Sequence, residues 1–250
     1  MTAAPLEITG WSGLELVEPL TGGARNPVWL ARRGNDRLVV RRSGRSVASL
    51  DWELDLLAHL EGNGISVPRL VPTDDGRRYV DGVLVQRFIP GTQPRDSQDW
   101  RRVVTVLTAV HELTVGWPQR PGFTASADLL TAERGGDVRL DLMPADAVAL
   151  VRSAWRPILT GDRCAIHADV GAGNVLIDEG TVSLLDWDEA RVDVPWFDFA
   201  WLPVEVPVPS PVDRVTLTTA GLAWETATCW APEPEYAARC LARLRSTTSR

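Results

Sequence analysis

The first part of the chain alternates short apolar and polar runs with turn-forming residues, a pattern typical of β-strands. One stretch differs, because leucines at 50, 54, 57 and 60 recur at the spacing of one helix face. Ser46 or Ser49 is placed to cap this helix, and glycines at 62 and 64 to end it. Predicted strands span residues 14–20, 28–32, 37–42, 69–71 and 83–88. Strands with a single inserted helix indicate a small, mostly antiparallel α+β lobe over residues 1–90.

After Pro90-Gly91 the apolar spacing becomes helical. Ser97 is placed to cap a long helix whose broad apolar face runs from Trp100 to Leu113. Further helical patterns cover residues 145–155, 212–230 and 235–245, whereas residues 195–211 hold too many prolines for regular structure. Residues 91–250 are therefore predicted to form a second, larger and mainly helical lobe.

A predicted β-hairpin carries the first candidate chemistry. Residues 174–178 and 182–186 are both strand-like, and Glu179-Gly180 marks a turn between them. An antiparallel pairing places Asn174 and Asp186 nearly opposite each other at the open end. An amide oxygen and a carboxylate suit a hard cation such as Mg²⁺, whose other ligands come from phosphates and water. The sequence therefore predicts a metal site at Asn174 and Asp186.

The segment before this hairpin has the spacing of a kinase catalytic loop. Residues 167–174 read His-Ala-Asp-Val-Gly-Ala-Gly-Asn, which matches His-x-Asp-x-x-x-x-Asn. Asp169 would then accept the proton of an attacking hydroxyl. His167 is expected to be packed and hydrogen-bonded rather than to take part in chemistry. The alternative to a catalytic loop is a polar turn followed by a two-stranded ribbon. Asp188, two residues after Asp186, would either be solvated or face a cationic substrate.

These two segments together resemble the aminoglycoside phosphotransferase and choline kinase superfamily, which implies a bilobal protein-kinase-like fold. Residues 22–26 are similar to the family's first hairpin, and residues 88–91 resemble its interlobe hinge. The resemblance implies that ATP binds near residues 86–90, with Gln86 and Phe88 among its contacts, and that Mg²⁺ is the metal. It also implies that Asp198 braces the catalytic loop, although an ordinary helix N-cap explains Asp198 equally well.

The chain contains no lysine, since all 26 of its Lys+Arg residues are arginine. Kinases of the resembled family hold the nucleotide phosphates with a lysine on the third strand, which a glutamate on the next helix holds in turn. The family pattern aligns Arg41 with that lysine and leaves Val39 to cover the adenine, whereas a slip of one residue selects Arg42. Glu53 falls within the arc of the leucine stripe, so it is predicted to pair with Arg41, the alternative being a partly exposed carboxylate.

Composition narrows the possible partners. A chain of 250 residues, 44% of them hydrophobic, can bury a sizeable core. A net charge of -7 and a pI near 5.1 argue against a nucleic-acid partner, which requires a basic face. No secretion signal or membrane-length apolar run is recognised, so a cytoplasmic protein with no membrane partner is expected, with a monomer as the default. The three cysteines lack metal-ligand spacing and are expected to be idle thiols.

The patterns and the resemblance together predict a phosphotransferase that moves the γ-phosphate of ATP to a hydroxyl of a small molecule. Candidate acceptors are aminoglycoside- or macrolide-like antibiotics, amino alcohols and sugars. The alternative is a catalytically inactive, nucleotide-binding regulatory module, in which the loss of lysine marks a decayed kinase. Retention of Asp169, Asn174 and Asp186 favours the enzyme, because a module freed from catalysis needs none of the three.

Overall fold

The structure of the protein is a computed structural model that describes residues 8–20 and 27–248. The hairpin segment predicted at residues 22–26 lies outside the described residues. In chain order the strands and helices are β1 (Leu14–Pro19), β2 (Val28–Arg33), β3 (Asp36–Arg42), α1 (Val47–Gly62), β4 (Leu70–Val71), β5 (Val83–Arg87), α2 (Ser97–Leu113), β6 (Arg134–Gly135), β7 (Val138–Arg139), α3 (Ala145–Trp155), β8 (Cys164–Ile166), β9 (Val175–Asp178), β10 (Thr181–Leu184), β11 (Arg191–Asp193), α4 (Arg214–Thr228) and α5 (Pro234–Thr248).

The chain divides into two compact units, each built from two separate stretches. The first unit comprises Met1–Thr92 and Leu176–Asp188, and the second comprises Gln93–Val175 and Glu189–Arg250. The β9–β10 hairpin therefore belongs almost entirely to the first unit, although it follows the greater part of the second along the chain. The functional lobes predicted from the sequence, residues 1–90 and 91–250, stay a prediction.

A five-stranded antiparallel sheet forms the frame of the first unit, in the order β1-β2-β3-β5-β4. Its buried core lies on the sheet face that carries Leu38 and Val40 from β3 together with Val83 and Val85 from β5. In β3 the residues alternate between the two faces, so Val39 and Arg41 point away from this core. The strand register thus directs a charged side chain to the opposite face of the sheet.

Helix α1 follows β3 and buries the face that carries the leucine stripe. Ser46, one of the two predicted caps, is the N-cap, and its side chain accepts a hydrogen bond from the backbone N–H of Ser49. Leu50, Leu54, Leu57 and Leu60 are all buried, as is Glu53 within the same arc. A carboxylate on an apolar helix face must have a compensating partner, because burying a charge alone is very costly.

Two contacts tie the β9–β10 hairpin to the rest of the first unit. Thr92 and Ile177 exchange two backbone hydrogen bonds, of 3.0 and 2.8 Å. On the other strand, the hydroxyls of Ser66 and Ser183 lie 2.7 Å apart, and the N–H of Leu184 donates to the carbonyl of Ser66. The hairpin is therefore fixed at both strands before it reaches its acidic end.

The second unit is mainly helical, as predicted, and some of its details differ from the predictions. Helix α2 is capped by Asp96 rather than Ser97, because the Asp96 carboxylate accepts hydrogen bonds from two backbone N–H groups, those of Gln98 and Asp99. Strands β8 and β11 pair antiparallel, although the sequence predicted neither. Within the described residues, no helix is long and apolar enough to cross a membrane.

Candidate active site

The sheet places the predicted nucleotide-binding residues of the first unit on one face. Val39 of β3 lies opposite Gln86 of β5, and Arg41 lies opposite Leu84. Residues directly opposite each other on antiparallel strands share a face. Arg41 is buried whereas Arg42, the alternative from a one-residue slip, is exposed. The register therefore agrees with Arg41 as the residue that replaces the missing lysine, and its role stays a prediction.

Arg41 forms a buried ion pair with Glu53. The Nη2 group of Arg41 donates a hydrogen bond to Oε1 of Glu53, whose side chain is 0% exposed. Burial alone would lower the pKa of Arg41, but the negative charges of Glu53, Asp186 and Asp188 raise it above its ordinary value. The guanidinium is therefore permanently charged, and the acidic end of the hairpin is close enough to act on it.

One nitrogen of the Arg41 guanidinium lacks a hydrogen-bond acceptor among the described residues. Arg41 is 6% exposed, and its Nη1 group makes no hydrogen bond to any residue in the described part of the chain. A buried charged donor without an acceptor costs free energy, since it has lost water and gained nothing in return. A phosphate oxygen fits this position, because guanidinium groups bind phosphate and carboxylate by parallel hydrogen bonds. The residues present thus fit a nucleotide phosphate.

The two predicted hinge contacts have different surroundings. Gln86 is buried, and its Nε2 donates to the backbone carbonyl of Pro68 at 3.4 Å. Phe88 is half-buried, and the guanidinium of Arg37 lies 3.7 Å from the centre of its ring. Arg37 therefore covers one face of the ring. Leu30, a residue that was not predicted for this site, lies opposite Val39 on β2 and is buried.

The acidic turn after β10 is held by its neighbours on both sides. Asp186 has a left-handed backbone, with φ of 54°, which costs a non-glycine residue free energy. Trp187 is buried, and its indole N–H donates to the carbonyl of Leu184 at 3.0 Å. Asp188 is buried and accepts two hydrogen bonds from Arg45, so the prediction of a solvated or substrate-facing Asp188 is wrong.

In the second unit, Asn174 holds the carboxylate of Asp169. The side-chain amide nitrogen of Asn174 donates to the Asp169 backbone carbonyl at 2.9 Å and to its carboxylate at 2.8 Å. Asp169 itself is exposed, so it can meet a substrate. Because the amide nitrogen is committed to Asp169, the amide oxygen is the atom of Asn174 that suits a cation.

Asp198 braces the loop that carries Asp169, as the resemblance implied. Its two carboxylate oxygens accept hydrogen bonds from the backbone N–H groups of His167 and Ala168, at 3.0 and 2.7 Å. His111 lies 2.8 Å from the same carboxylate through its Nε2. Burial would raise the pKa of Asp198, but the hydrogen bond from His111 and the electrostatic interaction with the neighbouring imidazoles hold it below its ordinary value.

The loop takes a constrained shape around this carboxylate. Ala168 has a left-handed backbone with φ of 70°, which the two hydrogen bonds to Asp198 hold in place. His167 is wholly buried, and its Nδ1 accepts a hydrogen bond from the N–H of Asp169. His167 is therefore packed and hydrogen-bonded, as predicted, and contacts the backbone of Asp169.

The candidate metal ligands fall in different units, Asn174 in the second and Asp186 in the first. Among the described residues, no group of three or more His, Cys, Asp or Glu could hold a metal by itself. One amide oxygen and one carboxylate are the donors that Mg²⁺ accepts when nucleotide phosphates and water supply the remaining ligands. The donor types fit Mg²⁺, and their joint role stays a prediction.

Comparison with known families decides the family of this chain. A model of the phosphotransferase enzyme family, APH, matches residues 16–228, which include every candidate site residue described above. The chain belongs to the phosphotransferase enzyme family. The resemblance to aminoglycoside phosphotransferases and choline kinases that the sequence motifs indicated is thereby confirmed.

Several known kinases resemble the chain to different extents. A homoserine kinase from Gluconacetobacter diazotrophicus is 30% identical over 172 residues, which cover 61% of this chain and 52% of that protein. The chain thus spans about half the length of this curated relative. A microcompartment-associated aminopropanol kinase is 18% identical, with a TM-score of 0.64 over 96% of this chain and 92% of that one. The amicoumacin kinase hAmiN, in complex with AMP-PNP, Ca²⁺ and Ami, is 16% identical, with a TM-score of 0.61 over 94% and 89%. These folds confirm the kinase-like α+β class.

Proposed function

We propose that the protein is an ATP-dependent phosphotransferase that moves the γ-phosphoryl group to a hydroxyl of a small molecule. The observation that carries this proposal is the Nη1 group of Arg41, a buried charged donor that lacks an acceptor among the described residues. Glu53 holds the same guanidinium from its other nitrogen. This is the division of labour between the lysine and the glutamate in kinases, with arginine in the place of lysine.

The remaining nucleotide contacts come from the same face of the sheet. Val39 and Leu30 would supply an apolar surface for the adenine, Gln86 follows on the next strand, and the half-buried ring of Phe88 comes two residues later. Asn174 and Asp186 would hold Mg²⁺, which would neutralise charge on the transferred phosphoryl group. The binding of AMP-PNP and Ca²⁺ by the structurally similar hAmiN supports a nucleotide with a divalent cation.

Asp169 is the base that we assign to the acceptor hydroxyl. Its carboxylate is exposed, and Asn174 and the Asp198-braced loop fix its position. A carboxylate held in this way orients the hydroxyl for in-line attack and accepts its proton as the new P–O bond forms. Positioning and charge stabilisation supply most of the rate in phosphoryl transfer, so the geometry of the loop matters more than its basicity.

The names of the relatives suggest the class of acceptor. Homoserine and aminopropanol, after which two of the similar kinases are named, are both small molecules with a hydroxyl and an amine. We therefore propose an amino alcohol, free or as part of a larger antibiotic, as the acceptor. Glu225, Glu233 and Glu235, in and next to the last two helices, are acidic residues with the charge to meet such an amine.

The test is ATP turnover against a panel of amino alcohols, homoserine, amino sugars, macrolides and neutral sugars. Asp169→Asn is expected to lower kcat by about 10²–10⁴-fold while the affinity for Mg·ATP changes little, because Asp169 acts on the acceptor. Asp178→Asn, an exposed carboxylate on the neighbouring hairpin, is the matched control. Tight binding of Mg·ATP without transfer to any acceptor, together with no effect of Asp169→Asn, would establish the non-catalytic module instead.

A further inference from the structure

An arginine that the proposed site does not use holds the acidic turn of the hairpin. Arg45 lies between β3 and α1, four residues after Arg41. Its Nε and Nη2 groups both donate to Oδ2 of Asp188, at 3.1 and 2.8 Å. The two side chains are 15% and 11% exposed, respectively. This pair is therefore largely withdrawn from water, unlike the surface ion pairs of the same unit.

The ion pair of Arg45 and Asp188 lies next to Asp186, the candidate metal ligand. Asp188 lies two residues after Asp186, and Asp186 occupies a left-handed backbone conformation. Such a conformation persists only when the surrounding structure over-determines it. The turn has an anchor at Trp187, whose indole binds the carbonyl of Leu184, and another at Asp188, which Arg45 binds. The first anchor fixes the turn to its own strand, and the second fixes it to the segment between β3 and α1.

The charges point to a second effect of the same contact. Asp188 is near enough to Arg41 to raise the pKa of that guanidinium. Arg45 directs Oδ2 of Asp188 to itself by two hydrogen bonds, so this oxygen does not compete for Arg41. Arg45 therefore binds a carboxylate whose charge also acts on Arg41.

We propose that Arg45 is a positioning residue for the metal-binding turn, and that it acts through Asp188 to hold Asp186 in the orientation that binds Mg²⁺. The inference rests on the proposed function, because it assigns Asp186 to the metal. The guanidinium of Arg45 donates two hydrogen bonds to Asp188, the residue through which we expect it to act. Residues that orient metal ligands from behind change metal affinity by about 10–100-fold when they are replaced.

The experiment compares Arg45→Gln, Asp188→Asn and the double variant by calorimetric titration of AMP-PNP at increasing Mg²⁺. Each single variant is expected to raise the Mg²⁺ concentration for half-maximal binding by about 10–100-fold. The double variant is expected to be no worse than either single one, because both remove the same contact. At saturating Mg²⁺ the turnover number should largely recover, and Arg45→Lys should restore part of the Mg²⁺ affinity.

A second readout needs neither metal nor nucleotide. In the ligand-free protein, backbone amides of the Asp186–Asp188 turn should exchange with solvent faster in Arg45→Gln than in the parent, because the contact from Arg45 to Asp188 is gone. The control is the exposed pair Arg77 and Asp75, whose side chains are 56% and 58% exposed. Arg77→Gln and Asp75→Asn should leave both the Mg²⁺ requirement and the exchange of the turn unchanged.

The possible results distinguish a failure of the positioning role of Arg45 from a failure of the proposed phosphotransferase function. A parent protein that binds no AMP-PNP at any Mg²⁺ concentration refutes the proposed function, and the positioning role with it. A parent that binds AMP-PNP, beside an Arg45→Gln variant with an unchanged Mg²⁺ requirement, refutes the positioning role alone. Losses that multiply in the double variant also overturn it, because Asp188 would then act independently of Arg45, for example as a metal ligand.

Discussion

The buried pair of Arg41 and Glu53 allows the contribution of one guanidinium to stability to be separated from its contribution to function. The perturbation is a set of three variants, Arg41→Met, Glu53→Gln and the apolar double variant Arg41→Met/Glu53→Leu. Each single variant removes one charge and leaves the other buried. The double variant removes both and refills the space with apolar side chains, which a buried ion pair often tolerates.

The structure sets the expected order of the losses. Removing one member of a buried ion pair costs about 3–5 kcal/mol of folding free energy. Glu53→Gln should lie near the lower value, because Arg41 keeps the favourable charges of Asp186 and Asp188. Arg41→Met should lie near the upper value, because the side chain of Glu53 is 0% exposed. The double variant should return to within about 1–2 kcal/mol of the parent.

The use of ATP should not recover in the double variant, unlike the stability. A hydrogen bond between charged groups contributes about 1.5–3 kcal/mol, so loss of the Arg41 Nη1 donor should lower kcat/KM for ATP about 10- to 150-fold. The double variant should show this loss in full although its stability has recovered. Urea unfolding without nucleotide, followed by the fluorescence of the eleven tryptophans, gives the stability, and steady-state kinetics give the function.

Arg42→Met is the matched control, since Arg42 is exposed on the same strand. It should change the free energy of unfolding by less than about 0.5 kcal/mol and leave ATP use intact. The reasoning is refuted if the double variant regains stability and also keeps parental kcat/KM for ATP, because Arg41 would then be a structural ion pair alone. A larger loss of ATP use in Arg42→Met than in Arg41→Met would show that the strand register was assigned wrongly.

Two further predictions concern the brace and the sheet. Asp198→Asn should destabilise the protein by about 2–4 kcal/mol at neutral pH, since it weakens three contacts of a buried carboxylate. The folded-state pKa of Asp198 lies below its ordinary value of 3.8, so this carboxylate stabilises the fold above about pH 4. The loss of unfolding free energy in the variant should therefore shrink as the pH falls further. Urea unfolding at a series of pH values measures this change. Gly82→Ala should cost about 1–3 kcal/mol, because the backbone φ is +75° and a Cβ would lie 2.7 Å from the carbonyl oxygen of Ser43. Gly76→Ala has a similar φ but open space around it, so an equal drop in melting temperature for both variants would contradict the steric argument.

Local patterns predicted most of the first unit because its elements are strongly periodic. Alternation in β3 separated Arg41 from Arg42, and the leucine stripe of α1 placed Glu53 on the buried face. The spacing of His167, Asp169 and Asn174 marked a loop in which the structure joins Asn174 to Asp169 by hydrogen bonds. These features depend on residues that are near in sequence or related by a short repeat, so they can be recognised from the sequence alone.

Features that depend on distant residues were not predicted. Strands β8 and β11 are three residues each, too short for a pattern, and each gains its partner only in the folded chain. Arg45 and Asp188 are separated by 143 positions, and nothing near either residue indicates the other. The cap of α2 was assigned to the wrong residue because Asp96 and Ser97 are adjacent good caps, and only the folded turn shows which one reaches the free N–H groups.

The two-piece construction of the first unit has a consequence for how the protein is made. Its sheet comes from the beginning of the chain, but Ile177, Ser183 and Asp188, which bind Thr92, Ser66 and Arg45, are translated much later. On the ribosome the five strands of the sheet are therefore complete before the hairpin exists, and the first unit lacks its second piece while the whole of Gln93–Val175 is synthesised. A truncated product that stops at Thr92 would lack both acidic residues of the hairpin turn, Asp186 and Asp188. We therefore expect the first unit to be completed late in the synthesis of the chain.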